Sequence, residues 1–197
     1  MRLWIATGNK GKLAEFKMMM ANPAIEIRSQ NELPVYSSPP ETGKTFLENA
    51  QIKARSLKSV VDDADWVLAD DSGLCVDGLG GLPGVHSARY AGEKASDGEN
   101  VAKLLKMMQI RSSSNRKAYF ECSLVLISPQ RTEQVFTGQC HGQIATNATG
   151  TKGFGYDPVF IPEGHTQTFG EQTDAVKNAL SHRAQACKKL NEFLKSL

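Results

Sequence analysis

The sequence predicts an α/β fold, and three observations carry that prediction. A short apolar run, "RLWIA", passes through the polar, glycine-bearing "TGNKGK" into the helix-forming "LAEFKMMMA", which "NP" ends. Strand, glycine turn and helix in that order open an α/β layer. From Thr45 to Val61, Phe46, Ala50, Ala54 and Leu57 recur at three- and four-residue spacing, one apolar stripe of a long helix, with Glu48, Gln51 and Arg55 on the opposite polar face. "KAYFECSLVLIS" and "EQVFTGQCHGQIA" read as two long strands, joined through "PQRT" as a hairpin.

The remaining segments fit between these. "IEIRS" alternates apolar and polar residues as a half-buried strand does, and the proline-bearing "QNELPVYSSPPETG" after it is a loop. "WVLA" is a strand that ends on Asp70 and Asp71, before a Ser-Gly turn. "GLGGLPG" is too rich in glycine for a regular element, and "ENVAKLLKMM" is helical. After "NATGTKGFGYDP" the chain closes with one helix, "NALSHRAQACKKLNEFLKSL". There is no internal repeat, linker or low-complexity tract, and 197 residues suit one domain, 1–197, or two small lobes sharing a sheet.

Composition narrows the function classes. Hydrophobic residues at 40% and charged residues at 22% are those of an ordinary globular protein. A formal charge of +2 gives no reason to expect a nucleic-acid partner, so phosphate binding would be local. Cys75, Cys122, Cys140 and Cys187 form no C-x-x-C pair and read as reduced structural thiols. The N-terminus turns polar too early for a signal peptide and no apolar run approaches a membrane span, so the expected location is the cytoplasm, with no membrane partner.

Four polar, glycine-containing segments lie at the ends of these elements, where open α/β sheets collect ligands. "TGNKGK" is either a turn with solvated lysines or a phosphate cradle, in which backbone N–H groups at a helix N-terminus act with Lys12 and Lys10. It lacks the G-x-x-x-x-G-K-[ST] spacing of a P-loop kinase or GTPase. In "DDSGL", capping is one reading. The other is that a divalent cation, Mg²⁺, offsets the repulsion of Asp70 and Asp71, with Glu41 as a further carboxylate and Asp71 able to deprotonate a water. In "KGFGYDP", Phe154 between two glycines is either a core residue or a platform for a flat ligand. In "SHR", Ser181 reads as an N-cap, and His182 and Arg183 either as first-turn surface residues or as ligand-binding groups. Arg183 is unfavourable against the helix dipole, which favours a role for its donors.

Taken together, "TGNKGK", "ETGKTFLENA", "ADDSGLCVDGLGGLPGVHSARYAG", "GFGYDP" and "SHRAQA" resemble, in order and spacing, the inosine triphosphate pyrophosphatase family, and the resemblance runs nearly end to end. It implies a twisted mixed central sheet flanked by helices, two lobes with the active-site cleft between them, and a homodimer. It implies Mg²⁺-dependent hydrolysis of ITP, dITP and XTP to the monophosphate and pyrophosphate, with Mn²⁺ as a substitute metal, which cleanses the nucleotide pool of deaminated purines. By the same resemblance Thr7, Gly8, Asn9, Lys10, Gly11 and Lys12 contact the triphosphate. Asp71 is the proton acceptor and a metal ligand, with Glu41 and Asp70 close to the metal and Ser72 touching the nucleotide. Phe154, Gly155, Tyr156 and Asp157 line the base and sugar pocket, Lys177 binds phosphate or base, and His182 and Arg183 read the purine edge. Lys10, Lys152 and His86 depart from the usual family pattern. A pyrimidine-directed, Maf-type pyrophosphatase and a non-hydrolysing nucleotide sensor are the alternatives. "GFGYDP" and "SHR" speak against the first, and the retained Asp70, Asp71 and Lys12 against the second.

Overall fold

The structure is a computed structural model and describes residues 1–20, 22–111 and 114–196. Ala21 and Leu197, the predicted ends of the first and last helices, lie outside the described residues. The strands are β1 (Arg2–Ala6), β2 (Glu26–Ser29), β3 (Trp66–Val76), β4 (Lys117–Ile127), β5 (Glu133–Ile144) and β6 (Phe160–Pro162). The helices are α1 (Lys10–Met19), α2 (Phe46–Lys58), α3 (Asp97–Ile110), α4 (Asp174–Leu180) and α5 (His182–Lys195). One mixed sheet runs in the order β2-β1-β3-β4-β5-β6: β1 pairs in parallel with β2 and β3, and β5 pairs antiparallel with β6. The chain is therefore α/β, as its first three segments predict.

The chain divides into two compact units. Met1–Asp71, Cys122–Thr137 and Ala186–Leu197 form the first, and Ser72–Glu121 and Gly138–Gln185 the second. In the first unit, alternation along the strands separates two cores. Leu3, Ile5, Leu68, Cys122, Leu124 and Leu126 pack with Phe16 of α1 and with Ala186, Cys187 and Leu190 of α5. Ala6, Val67, Ala69, Val125 and Ile127 point the other way and pack with Ala50, Ala54 and Leu57 of α2. The apolar stripe read from α2 is thus the face it buries. In the second unit Leu74, Val76, Leu104, Met108, Phe120, Val159, Phe160 and Phe169 form one core. All four cysteines are buried and in thiol form, none in a disulfide.

Several elements differ from the reading of the sequence. Strand β3 does not stop at the aspartates but continues through "DDSGLCV". Asp, Ser and Gly are turn residues locally, yet β3 lies beside β4 in the sheet, and past the end of its β1 pairing at Ala69 the Leu74 N–H donates to Ser87 Oγ at 2.9 Å and the Val76 N–H to the Leu82 carbonyl at 3.1 Å. Helix α1 begins inside "TGNKGK", because Asn9 caps it: its Oδ1 accepts the Lys12 N–H at 3.0 Å. The predicted final helix is two helices. Ser181 is extended between them (φ −63, ψ 154), and its Oγ accepts the Ala184 N–H at 3.2 Å, so its cap preference starts α5 afresh. "GLGGLPG" is flanked by short 3-10 turns at Asp77–Leu79 and Gly84–Arg89, and the three-residue β6 has no marked periodicity to announce it.

Candidate functional site

In the first unit, strand alternation decides what Asp70 and Asp71 meet. Neighbouring side chains on a strand point to opposite faces, so each aspartate finds its own ammonium group. These two ammonium groups, from Lys12 and Lys53, offset the repulsion of the adjacent carboxylates. Asp70 shares the face of Leu68, beneath α1, where its Oδ1 pairs with Lys12 Nζ and its Oδ2 accepts the Cys122 thiol at 3.1 Å. Asp71 shares the face of Val67 and Ala69, beneath α2. Its Oδ1 accepts from Lys53 Nζ at 2.7 Å and its Oδ2 from Asn49 Nδ2 at 3.2 Å.

Lys53 Nζ also donates to Glu41 Oε1 at 3.0 Å, so Glu41 and Asp71 converge on one positive charge. Asn49 accepts the Gly43 N–H at 2.8 Å through its Oδ1, tying the "ETG" loop to the cluster. Burial pushes the Asp71 carboxyl above the ordinary carboxylate range, while Lys53 and Lys12 pull it back. Burial works against the Lys53 charge, but Asp71, Glu41 and Asp70 outweigh it and hold the ammonium above the usual lysine value.

Lys53 and Asn49 were not singled out in the sequence. The signal was present: they interleave with Ala50, Ala54 and Leu57 at helical spacing, so they sit at the border of the buried stripe of α2. Polar residues there are paired or functional.

The phosphate-cradle segment leads into α1. Thr7 is buried and its Oγ1 accepts the Asn9 N–H at 3.2 Å. Gly8 and Lys10 are exposed, and Gly11 and Lys12 are half-buried in the first turn. The chain thus presents a helix N-terminus with a lysine already fixed by Asp70.

In the second unit a different group of predicted residues gathers around Phe154. Lys177 Nζ lies 4.4 Å from the centroid of the half-buried Phe154 ring, and the Arg183 guanidinium carbon 5.9 Å from it. Arg183 is buried and donates from Nη2 to Ser72 Oγ at 2.8 Å. His182 is buried and stacks on Phe120, with ring centroids 4.8 Å apart and planes at 11°. The reading of His182 and Arg183 as surface residues therefore fails, because the break at Ser181 starts α5 inside the core.

Asp157 and Tyr156 build the support of the segment. Asp157 Oδ2 accepts the Phe154 N–H at 2.8 Å and Lys177 Nζ at 2.5 Å. A Cβ on Gly153, which has φ +73, would collide with that same oxygen. Tyr156 is buried and its hydroxyl donates to the Ser87 carbonyl at 2.9 Å.

Among the described residues no group of three or more His, Cys, Asp or Glu side chains is arranged to hold a metal by itself. The pair Glu41 and Asp71 nonetheless fits Mg²⁺, a cation that takes one or two carboxylates and completes its shell with water and substrate phosphate oxygens. No helix in the described residues is long and apolar enough to cross a membrane.

Residues 3–193 match the model of the Ham1 family. A dITP/XTP pyrophosphatase of Bdellovibrio bacteriovorus is 52% identical over 198 residues, covering 100% of this chain and 99% of the relative. That of Halalkalibacterium halodurans is 45% identical, covering 98% and 100%. Among solved structures, a HAM1 protein from Coxiella burnetii superposes with a TM-score of 0.88 at 37% identity, covering 100% of both chains.

Proposed function

The chain belongs to the Ham1 family, and from that premise we propose that it hydrolyses the non-standard purine triphosphates ITP, dITP and XTP to the monophosphate and pyrophosphate. The observation that carries the chemistry is the buried Asp71 carboxylate, paired with Lys53 beside Glu41. Cleavage between the α- and β-phosphates needs an aligned water and neutralised charge rather than a covalent nucleophile. Asp71 takes the proton of the water that attacks the α-phosphorus, and its raised pKa suits a base. Thr7, Gly8, Asn9, Lys10, Gly11 and Lys12 hold the triphosphate, with the N–H groups of the α1 terminus supplying donors. Asp70 fixes the Lys12 ammonium for that task. Glu41 and Asp71, with Asp70 nearby in the chain, would hold Mg²⁺, which supplies charge neutralisation on the phosphate oxygens when bound. Mn²⁺ is the substitute of the same hard, oxygen-seeking class.

The base is read by the second unit. Phe154 offers a ring face, with Lys177 and Arg183 beneath it and Gly155, Tyr156 and Asp157 completing that segment. Arginine has donors only, so Arg183 favours the 6-keto group of hypoxanthine and xanthine and opposes the 6-amino group of adenine. His182, stacked on Phe120, lies beside Arg183 at the start of α5, and Ser72 orients the guanidinium. Because β3, β4 and β5 each contribute residues to both units, 1–197 is read as one pyrophosphatase domain. The likeness to bacterial house-cleaning enzymes supports a cytoplasmic homodimer.

The test is pyrophosphate and orthophosphate release from ITP, dITP, XTP, GTP, ATP and dTTP, with Mg²⁺ and with EDTA. Metal-dependent pyrophosphate from the first three alone is expected. Orthophosphate, or equal rates on all six, overturns the reading.

A further inference from the structure

The Phe154 peptide is held in an unusual way. Gly150, Gly153 and Gly155 all have positive φ, at +84, +73 and +63, and between them they leave the segment little side chain to pack. Behind it lies a cavity of about 480 Å³, lined on one side by Asp97, Gly98 and Val101 of α3 and on the other by Gly153, Phe154 and Gly155. The segment borders this cavity on one side, and two carboxylates hold its backbone. Asp157 Oδ2 accepts the Phe154 N–H from within, and Asp97 Oδ2 accepts the Gly155 N–H at 2.7 Å from the first turn of α3.

Helix α3 is well placed to act as the outer anchor. Ser96 and Glu99 form a capping box that fixes its first turn. Asn100, one turn after Ser96, accepts the Ala91 N–H at 2.8 Å and donates to the Ala88 carbonyl at 3.1 Å. Ser87, beside Ala88, accepts the Tyr156 hydroxyl on its carbonyl, and its Oγ accepts the Leu74 N–H of β3 at 2.9 Å. The start of α3, the 84–91 turn and the Phe154 segment are therefore one hydrogen-bonded frame, in which Asp97 bonds the peptide that follows Phe154.

We propose that Asp97 is a positioning residue for the purine base: through the Gly155 peptide it sets the Phe154 ring over Lys177 and Arg183. The inference rests on the reading of Phe154 as the base platform. Loss of the anchor lets the ring wander into the cavity, which weakens base binding and leaves the phosphate chemistry at Asp71 untouched.

The experiment measures kcat and KM for ITP in Asp97→Ala, Asp97→Asn, Glu99→Ala, Phe154→Ala and the Asp97→Ala/Phe154→Ala double variant. Asp97→Ala is expected to raise KM about threefold to tenfold, the effect of one hydrogen bond of ordinary net strength, with kcat unchanged. Asp97→Asn keeps an acceptor oxygen and should restore most of the loss. Glu99→Ala loosens the turn that carries Asp97 without removing its carboxylate, so it should lower the melting temperature and raise KM by less than Asp97→Ala does. If Asp97 acts through Phe154, adding Asp97→Ala to Phe154→Ala changes nothing further. An additive double variant, or a KM shift in Glu99→Ala equal to that in Asp97→Ala, overturns the proposal. An unchanged KM in Phe154→Ala alone overturns instead the base-platform reading beneath it.

Discussion

The Asp71 carboxyl is 5% exposed and holds its proton more tightly than an exposed carboxyl does, so its ionised form costs the folded state stability. The folded-state pKa lies above the unfolded one. The carboxyl's stabilising contribution is therefore full below the unfolded pKa and is lost as pH rises through the folded value. Asparagine pays no such cost and can still accept from Lys53, which keeps Glu41 as a partner. Asp71→Asn should accordingly melt no lower than the parent at neutral pH, with its relative advantage shrinking as the pH falls toward about 4, the ordinary carboxyl range. Turnover should fall by at least about a hundredfold, the lower end of what a positioned base contributes. Melting curves from pH 4 to 8 and single-turnover rates check the two halves separately. A variant destabilised equally at every pH means the Lys53 pair outweighs burial, and an unchanged rate removes Asp71 as the base.

Helix α1 carries two demands on one residue. Asn9 closes its N-terminus by accepting the Lys12 N–H, and in doing so it fixes the first turn from which Lys12 reaches Asp70. Asn9→Ala should cost about 1 kcal/mol, the ordinary value of a cap, seen as a drop in denaturant midpoint. It should also raise KM for the triphosphate, since the same turn supplies the phosphate donors. Asn9→Ser, which can cap, should recover the stability. Recovery of stability without recovery of KM would mean that Asn9 touches the phosphate directly, and no change in either would deny the cap its importance. The break between α4 and α5 shows the same coupling of local chemistry to placement. Ser181 caps the second helix, and that cap puts Arg183 within reach of Ser72 and His182 onto Phe120.

Across the whole molecule the sheet organises the chemistry by parity. Even-numbered positions of β3 from Leu68 to Asp70 face the α1 side, and odd-numbered ones from Val67 to Asp71 face the α2 side. Two acidic residues in sequence are in this way given two different bases of support without opposing each other. The proposed homodimer belongs to this scale and has a direct test: light scattering should give twice the 21.5 kDa of one chain. A single-chain mass at micromolar concentration overturns it.

The sequence by itself determined the α/β class, the buried stripe of α2, the hairpin strands and the five segments that carry the family resemblance, because each is written in local periodicity or in turn and cap residues. It also placed Ser181 as a cap, since capping is a local preference. Only the tertiary structure decided that β3 runs on through "DDSG", since its place beside β4 in the sheet holds extended a backbone that the local residues would otherwise turn. It alone brought Lys53 and Asn49 to Asp71, residues 18 and 22 positions away in sequence, and Cys122 to Asp70 from 52 positions away. Such partners are chosen by which face of a strand meets which helix, and that choice exists only once the sheet is assembled.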